Sequence, residues 1–236
     1  MKKSNIALLG LALIFTAGML TTGFILKKEA AKINLNDPLR NYETTPTAAF
    51  KVLKISGSNG YPIHIQYDTG NSLTVLRRRK SFLKAKNTAD TLEIIFSGAN
   101  IPLDEASKNT TPAGIIIKTN AVNKIANQNT FVRIIDFRKT DLDLALSGQA
   151  VATFSNCQFP ALNIRATGQS RFGFDGQNIA DNFNLNLQNS TIGFLKNIQF
   201  AVLQHQVGDS AAVVLSNQVM AQVFNQGQKK LMQPTK

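Results

Sequence analysis

The most regular pattern in the chain is an alternation of apolar and polar residues that recurs through its C-terminal half. It occurs in four segments, which begin at Leu142, Leu162, Phe183 and Leu203, at intervals of 20, 21 and 20 residues. In the first three segments the first, third and fifth residues are apolar, and the residues between them are polar except at Ala145. Successive side chains of a strand point to opposite faces, so each segment predicts a β-strand with one buried face.

A bend follows each strand at one position of this repeat, which is occupied by Gly148, Gly168, Asn189 and Asp209. Glycine, asparagine and aspartate are the residues that tolerate a positive φ. We therefore expect the same backbone bend in every repeat. On this view Gly168→Asn is tolerated, whereas Gly168→Val is damaging because valine is β-branched.

Apolar residues also recur at fixed positions after the bend. They form three columns: Ala152, Phe172, Gly193 and Val213; Phe154, Phe174, Leu195 and Leu215; and Phe159, Ile179, Phe200 and Met220. Such columns predict a chain that winds through the sides of a prism, each turn hydrogen-bonded to the next at about 4.8 Å. A sandwich of stacked hairpins is the alternative.

We therefore predict an all-β fold, a single-stranded, right-handed β-helix-like solenoid with rungs of about 20 residues, preceded by one transmembrane helix. The solenoid is assigned to residues 50–224, in which the weaker strand-like runs before residue 140 form less regular rungs. Residues 33–49 contain prolines and little apolar periodicity, as in a linker. Residues 225–236 are expected to form a flexible tail.

The N-terminal segment is apolar and contains no charge between Lys3 and Lys27. Residues 6–26 would span about 31 Å as a helix, which matches the hydrocarbon core of a bilayer. We interpret residues 1–32 as a membrane anchor or uncleaved signal. A cleaved secretory signal is the alternative, since small residues occur at 16–18. Lysines flank the segment on both sides and leave its orientation in the membrane open. We favour the orientation in which the C-terminal domain is translocated across the membrane.

Three of the repeats, LDLALSG from Leu142, LNIRATG from Leu162 and FNLNLQNS from Phe183, resemble the putative autotransporter adhesin head (GIN) domain family of bacterial envelope proteins. The opening FKVLKISGSNGYPIHIQYDTG from Phe50 is also similar, so the resemblance covers residues 50–223. The third repeat departs from the family pattern, with Gln188-Asn189 in place of Ser-Gly. The resemblance implies a cell-envelope location and brings no catalytic residues with it.

Composition narrows the chemistry further. A single cysteine, Cys157, excludes an intramolecular disulfide framework, and two histidines leave little material for a metal centre. The sequence contains no Walker loop, Rossmann fingerprint, G-x-S-x-G elbow or H-E-x-x-H motif. We predict no catalytic residues, no metal ligands and no cofactor.

The net charge of +12 is concentrated before residue 141. Outside the anchor, the strongest charge signal is a basic cluster of six cations within ten residues: Arg77, Arg78, Arg79, Lys80, Lys84 and Lys86. This basic cluster is the candidate anion-binding site, for lipid phosphate or an acidic glycan. The alternative is a solvated hairpin edge whose charges prevent association between edges. Nucleic acid is not favoured as a partner, because Phe82 is the only aromatic residue within the cluster.

A pair of aspartates and the two histidines are the remaining residues with chemical potential. Asp143 lies two residues from Asp141, within range of a carboxylate pair for inverting glycoside hydrolysis. Because its equivalents in the next repeats are Asn163 and Asn184, we expect an outward polar ladder instead. His205 is expected to be buried and hydrogen-bonded, and His64 to face solvent.

These observations predict a non-catalytic, membrane-tethered cell-envelope protein whose adhesin-head-like solenoid serves recognition or scaffolding. Its partner could be an envelope glycan, an anionic lipid or a protein. The domain is placed in the periplasm, or outside the cell if the signal is cleaved. Alternatives are a polysaccharide-active enzyme on a β-helix and an anionic glycan- or lipid-binding module that uses the basic cluster at residues 77–86.

Overall fold

The computed structural model describes residues 3–31, 34, 36–57, 61–97, 113–138 and 140–231. The chain divides into two compact units, Met1–Tyr42 and Glu43–Lys236. The first unit contains helix α1 (Lys3–Ala31), and the second is mostly β-strand in two large sheets.

Helix α1 has no charged residue between Lys3 and Lys27, and its apolar residues in that stretch lie on all sides. Its segment Leu8–Ala31 is long and apolar enough to cross a membrane, and none of that segment is buried within the protein. The hydroxyl of Thr16 donates to the carbonyl of Ala12 at 2.8 Å, and Thr21 and Thr22 make equivalent bonds one turn back. These bonds satisfy the polar side-chain atoms without water.

The strands fill most of the second unit, and two helices interrupt or end them. In chain order the elements are β1 (Tyr42–Pro46), β2 (Val52–Ser56), β3 (Ile63–Tyr67), β4 (Ser72–Leu76), a 3₁₀-helix (Arg77–Phe82), β5 (Leu83–Thr88), β6 (Thr91–Phe96), β7 (Ile115–Thr119), β8 (Lys124–Gln128), β9 (Phe131–Ile135), β10 (Leu142–Ser147), β11 (Val151–Ser155), β12 (Gln158–Ala166), β13 (Arg171–Asp175), β14 (Asn178–Leu187), β15 (Ile192–Leu195), β16 (Ile198–Val207), β17 (Ala212–Leu215) and helix α2 (Asn217–Leu231).

The first sheet has the order β1-β4-β7-β3-β9-β11-β13-β15-β17, and the second has the order β16-β14-β12-β10-β8-β2-β6-β5. From β8 onward consecutive strands alternate between the two sheets. Neighbours pair in parallel from β7 to β17 in the first sheet and from β16 to β6 in the second, whereas β4 joins β7 and β5 joins β6 in antiparallel.

The predicted register is correct for the alternating segments that begin at Leu142, Leu162, Phe183 and Leu203, and for the first column after the bend. Leu142 pairs with Leu162, Leu162 with Phe183, and Phe183 with Leu203. After the bend, Ala152 pairs with Phe172, and the next two strands continue this column. The inward positions of β10, β12 and β14 are buried. Each fully buried large apolar side chain there contributes about 1.5–3 kcal/mol relative to exposure.

Phenylalanine side chains connect the two sheets across this interior. The rings of Phe154 and Phe174, on paired strands of the first sheet, stack with centroids 5.0 Å apart. Phe174 meets Phe183 of the second sheet edge to face at 5.8 Å, and Phe183 contacts Phe200 at 6.1 Å. The Phe-rich composition is therefore used mainly to fill the space between the sheets.

The third predicted column is wrong at two positions. Phe159 pairs with Ala180, which pairs with Phe200, so Ile179 points outward and is 38% exposed. The reason is the place of the extra residue in the 21-residue interval. Paired residues are 20 positions apart in sequence as far as Asp175, and they are 21 positions apart from Ile179 onward. The extra residue therefore lies at the corner between Asp175 and Ile179. Met220, the fourth member, lies in helix α2 rather than in a strand.

Helix α2 covers part of the C-terminal end of the sheets, and the sequence did not predict it. Val219 is buried, and the hydroxyl of Ser216 caps the helix by accepting from its amide at 3.4 Å. The side chain of Gln222 accepts from the amide of Phe200 at 3.2 Å and donates to the carbonyl of Ile198 at 3.4 Å. The helix therefore satisfies backbone groups at the edge strand β16.

Two predicted segments differ from these elements. Helix α2 continues to Leu231, through most of the expected tail at 225–236, and residues 232–236 lie outside the described residues. Strand β1 lies within the expected linker at 33–49 and joins the edge of the first sheet beside β4. Its residues include Thr44, whose hydroxyl is 2.9 Å from that of Thr74.

Side chains at the bends of consecutive repeats contact each other, and this stacking rule was not predicted from the sequence. Asn129, with φ of 56°, uses its side-chain oxygen to accept from the amide of Gln149 in the next repeat at 2.9 Å. A Cβ on Gly148 would lie 2.0 Å from that oxygen and would displace it, so glycine at this position, with a φ of 66°, preserves the hydrogen bond. Asn156 and Gly176 form a second such pair, with 2.2 Å between the corresponding atoms. Asp209 is not in the positive-φ region, contrary to expectation.

Gly168→Asn should therefore destabilise the fold, against the expectation from the sequence. A Cβ at Gly168 would lie 2.8 Å from the carbonyl oxygen of Gly148, which belongs to backbone and cannot move aside cheaply. We expect a loss of about 2 kcal/mol, seen as a lower thermal unfolding midpoint. The matched control is Asn189→Gly, which should change stability by less than about 1 kcal/mol because glycine accepts the same φ. Equal midpoints for the two variants would contradict the stacking rule.

Candidate functional site

The basic cluster lies at the N-terminal, antiparallel end of the sheets. Arg77, Arg78, Arg79 and Lys80 belong to the 3₁₀-helix that follows β4, and no residue of that helix is buried. Lys84 and Lys86 follow on the edge strand β5, two residues apart and therefore on one face. Their partners on β6 are Ile95 and Glu93, which are also exposed. The six predicted residues thus occupy one continuous turn and edge strand.

Tyr61 organises two of these cations. The guanidinium carbon of Arg79 lies 4.2 Å from the centroid of its ring and that of Arg78 lies 5.6 Å away. Arg78 also donates from Nη2 to the hydroxyl of Tyr61 at 3.1 Å. A hydrogen bond with Arg79 is the main cause that lowers the pKa of the Tyr61 hydroxyl. Cation–π contacts reduce the freedom of both side chains, so this part of the cluster is partly ordered before any partner binds.

Lys80 differs from its neighbours because it forms an ion pair. Its ammonium lies 2.6 Å from the carboxylate of Glu43 on β1, and this contact lowers the pKa of Glu43. Both side chains are largely exposed, so the pair adds little stability. It does neutralise one of the six predicted cations. Neither Tyr61 nor Glu43 was predicted, since their separation from the cluster in sequence leaves no local signal.

Asp143 belongs to a polar ladder, as predicted. Asn163 donates to its carboxylate at 2.6 Å, and Asn184 donates to the side-chain oxygen of Asn163 at 2.6 Å. The ladder lies on the outward face of β10, β12 and β14. The carboxylate is thus used in a structural hydrogen bond, which does not favour a role as general acid.

The two histidines lie in unlike surroundings. His205 was expected to be buried, but it is exposed, because β16 is the outer strand of its sheet and no further strand covers it. His64 points outward, as expected, but is half-buried next to its strand partner Arg133. Burial chiefly, and then the charge of Arg133, lowers the pKa of His64 from its usual value of 6.5.

Cys157 is buried, and its Sγ lies 3.4 Å from the carbonyl oxygens of Ile134 and Ser155. Burial raises the pKa of this thiol to about 11, so it is protonated and unreactive at neutral pH. Within the described part of the chain, no three His, Cys, Asp or Glu side chains are grouped as metal ligands.

Two putative adhesins are among the solved structures that share this fold. A putative adhesin from Parabacteroides distasonis superimposes with a TM-score of 0.52 at 11% identity, over 73% of this chain and 71% of that chain. A putative adhesin from Bacteroides fragilis also gives a TM-score of 0.52, at 13% identity, over 73% of this chain and 77% of its own. Identities this low establish a common fold and not a common function.

No family model matches the chain, and no curated protein is similar to it in sequence. Membership of the adhesin head family therefore stays a prediction.

Stability should decrease as the pH falls from about 7 toward 5, because the pKa of His64 is lower in the folded state. The unfolded chain then binds more protons, so acid favours unfolding. His64→Gln should remove most of this decrease in the denaturant midpoint of the full chain in detergent.

His205→Gln is the control, since that side chain is exposed, and it should leave the decrease unchanged. The carboxyls of Glu43 and Asp68 act in a separate range, because lysine partners hold their pKa values below the usual ones. An equal pH dependence in the wild type and in His64→Gln would show that another group is responsible.

Proposed function

We propose that this chain is a non-catalytic cell-envelope protein, tethered by its N-terminal helix, whose β-domain serves recognition or scaffolding. The observation that carries the proposal is helix α1. It presents apolar side chains on every side, and no part of Leu8–Ala31 is buried within the protein. The fold shared with two putative adhesins of Bacteroides and Parabacteroides supports an adhesin-like role in a bacterial envelope.

The proposal includes a β-solenoid of the adhesin head (GIN) type. Its support is the in-register parallel pairing of strands 20 or 21 residues apart, together with the alternation of consecutive strands between the two sheets. The right-handed sense follows from the strong preference for right-handed crossovers between parallel strands. Rungs of this kind leave long outward faces free for binding.

A non-catalytic role is supported by the surroundings of the side chains that could have been catalytic. Asp143 is hydrogen-bonded within a ladder of amides, Cys157 is a buried and protonated thiol, and His205 is an exposed side chain on an edge strand. None of these arrangements couples an activated acid, base or nucleophile to a second group.

The full chain should sediment with membranes and resist extraction by alkaline carbonate. Protease added to spheroplasts should degrade the domain from residue 43 onward if it is extracytoplasmic, and the same treatment should spare a cytoplasmic control protein. Complete protection would place the domain in the cytoplasm instead. A native soluble species that begins near Met19 would show that the segment is a cleaved signal and would overturn the tether.

A second function is favoured by the contacts of Tyr61. We propose that the basic cluster binds a polyanionic envelope component, because an aromatic residue restrains two of its arginines beside each other. The cluster also begins directly after β4, which lies beside the edge strand β1 of the first sheet.

This second function predicts salt-sensitive retention of the full chain on heparin, used as a polyanion probe. Replacing Arg77, Arg78 and Arg79 by Gln should lower the eluting salt concentration strongly without lowering the unfolding midpoint. The control replaces three other exposed arginines, Arg138, Arg165 and Arg171, by Gln and so removes the same charge. Similar elution of both triple variants would show that net charge, and not the cluster, determines binding.

A further inference from the structure

A shallow groove lies on the outward face of the first sheet, where a glycine interrupts a row of side chains. The row consists of Arg133 on β9, Thr153 on β11, Gly173 on β13 and Phe194 on β15, each paired with the next. The absent side chain at Gly173 leaves a depression of about 220 Å³ between its neighbours.

The backbone does not require glycine at this position. Gly173 has no positive φ, and a Cβ added there would have the Cβ of Phe194 as its nearest neighbour, at an ordinary 3.6 Å. This distinguishes it from Gly148 and Gly168, where a Cβ would overlap neighbouring atoms. Glycine weakens a strand relative to a β-branched residue. Its effect at position 173 is therefore to keep the groove open.

The groove combines an aromatic wall with charged groups. Phe194 lies at one side, and Arg133, Asp175 and Lys196 also line it. Arg133 reaches across β11 to Asp175, with 3.2 Å between its Nη2 and the carboxylate oxygen. Its Nε has no hydrogen-bond partner among the described residues. Two cations against one carboxylate give the lining a net charge of +1, and a guanidinium has donors to spare beyond Asp175.

We propose that this groove binds one pyranose ring that carries a carboxylate, as found in acidic polysaccharides. The volume suits a single sugar ring, the aromatic side chain suits its apolar C–H face, and the surplus cation suits its carboxylate. The inference rests on the proposed role in recognition at the cell envelope, and it gives that role a ligand class and a place.

The decisive variant is Gly173→Val, which fills the groove without straining the backbone. Its unfolding midpoint should equal or exceed that of the parent, so a loss of binding cannot be attributed to unfolding. The matched control is Ala145→Val, which adds bulk at an exposed outward position of the second sheet. A second variant, Lys196→Met, removes the exposed cation.

Binding is measured by calorimetry with the full chain in zwitterionic detergent, using trigalacturonate and the neutral sugar galactotriose as probes. The parent for all variants carries Gln at Arg77, Arg78 and Arg79, so that the contribution of the basic cluster is reduced and is the same in every comparison. We expect trigalacturonate to bind, Gly173→Val to weaken it at least about tenfold, and Ala145→Val to leave it unchanged. Lys196→Met should weaken trigalacturonate and leave any binding of galactotriose unchanged.

Undiminished binding in Gly173→Val would overturn the proposed site. Equally strong binding of both sugars would overturn the claim that the ligand is acidic. If neither sugar binds, the proposal as a whole is wrong. None of these results bears on membrane sedimentation or protease accessibility, so a failure here is distinguishable from a failure of the proposed envelope location.

Discussion

In-register pairing between parallel strands is the constraint on which the domain depends. It places equal positions of consecutive repeats about 4.8 Å apart, so the nearest neighbours of a residue lie about 20 positions away in sequence. Leu142, Leu162 and Phe183 become one buried column for this reason, and Asp143, Asn163 and Asn184 become one outward ladder. A side chain is therefore selected mainly by the residue above it and the residue below it.

The corners show how strict this constraint is. Asn129 and Asn156 each accept a hydrogen bond from a backbone amide of the following repeat. Their side-chain oxygens lie where a Cβ on Gly148 or Gly176 would be. A buried asparagine has a similar role at the corner that carries the insertion. Asn178 donates to the carbonyl of Asp175 at 2.8 Å and accepts from the amide of Cys157 at 3.0 Å. Polar side chains thus replace the backbone hydrogen bonds that a bend removes.

The outward faces are less restricted by this constraint, and the candidate functions lie there. An outward side chain can contact solvent instead of a matching partner, so a row can hold an arginine, a threonine, a glycine and a phenylalanine in succession. The irregular N-terminal end has the same freedom. Its antiparallel edge strand β5 and the preceding 3₁₀-helix carry the basic cluster, in a part of the fold where stacking does not limit charge.

The sequence by itself determined the buried faces and the register of the strands that begin at Leu142, Leu162, Phe183 and Leu203, the column that begins at Ala152, and the apolar helix, because period-two alternation and equal spacing are local signals that in-register pairing preserves. Tertiary structure decided where the extra residue of a 21-residue interval is placed, since the interval gives only the total number of residues between two equivalent positions. It also decided the exposure of His205, the approach of Tyr61 to Arg78 and Arg79, and the groove at Gly173. Each of these depends on which distant residues, if any, cover a side chain, and no local pattern in the chain records that.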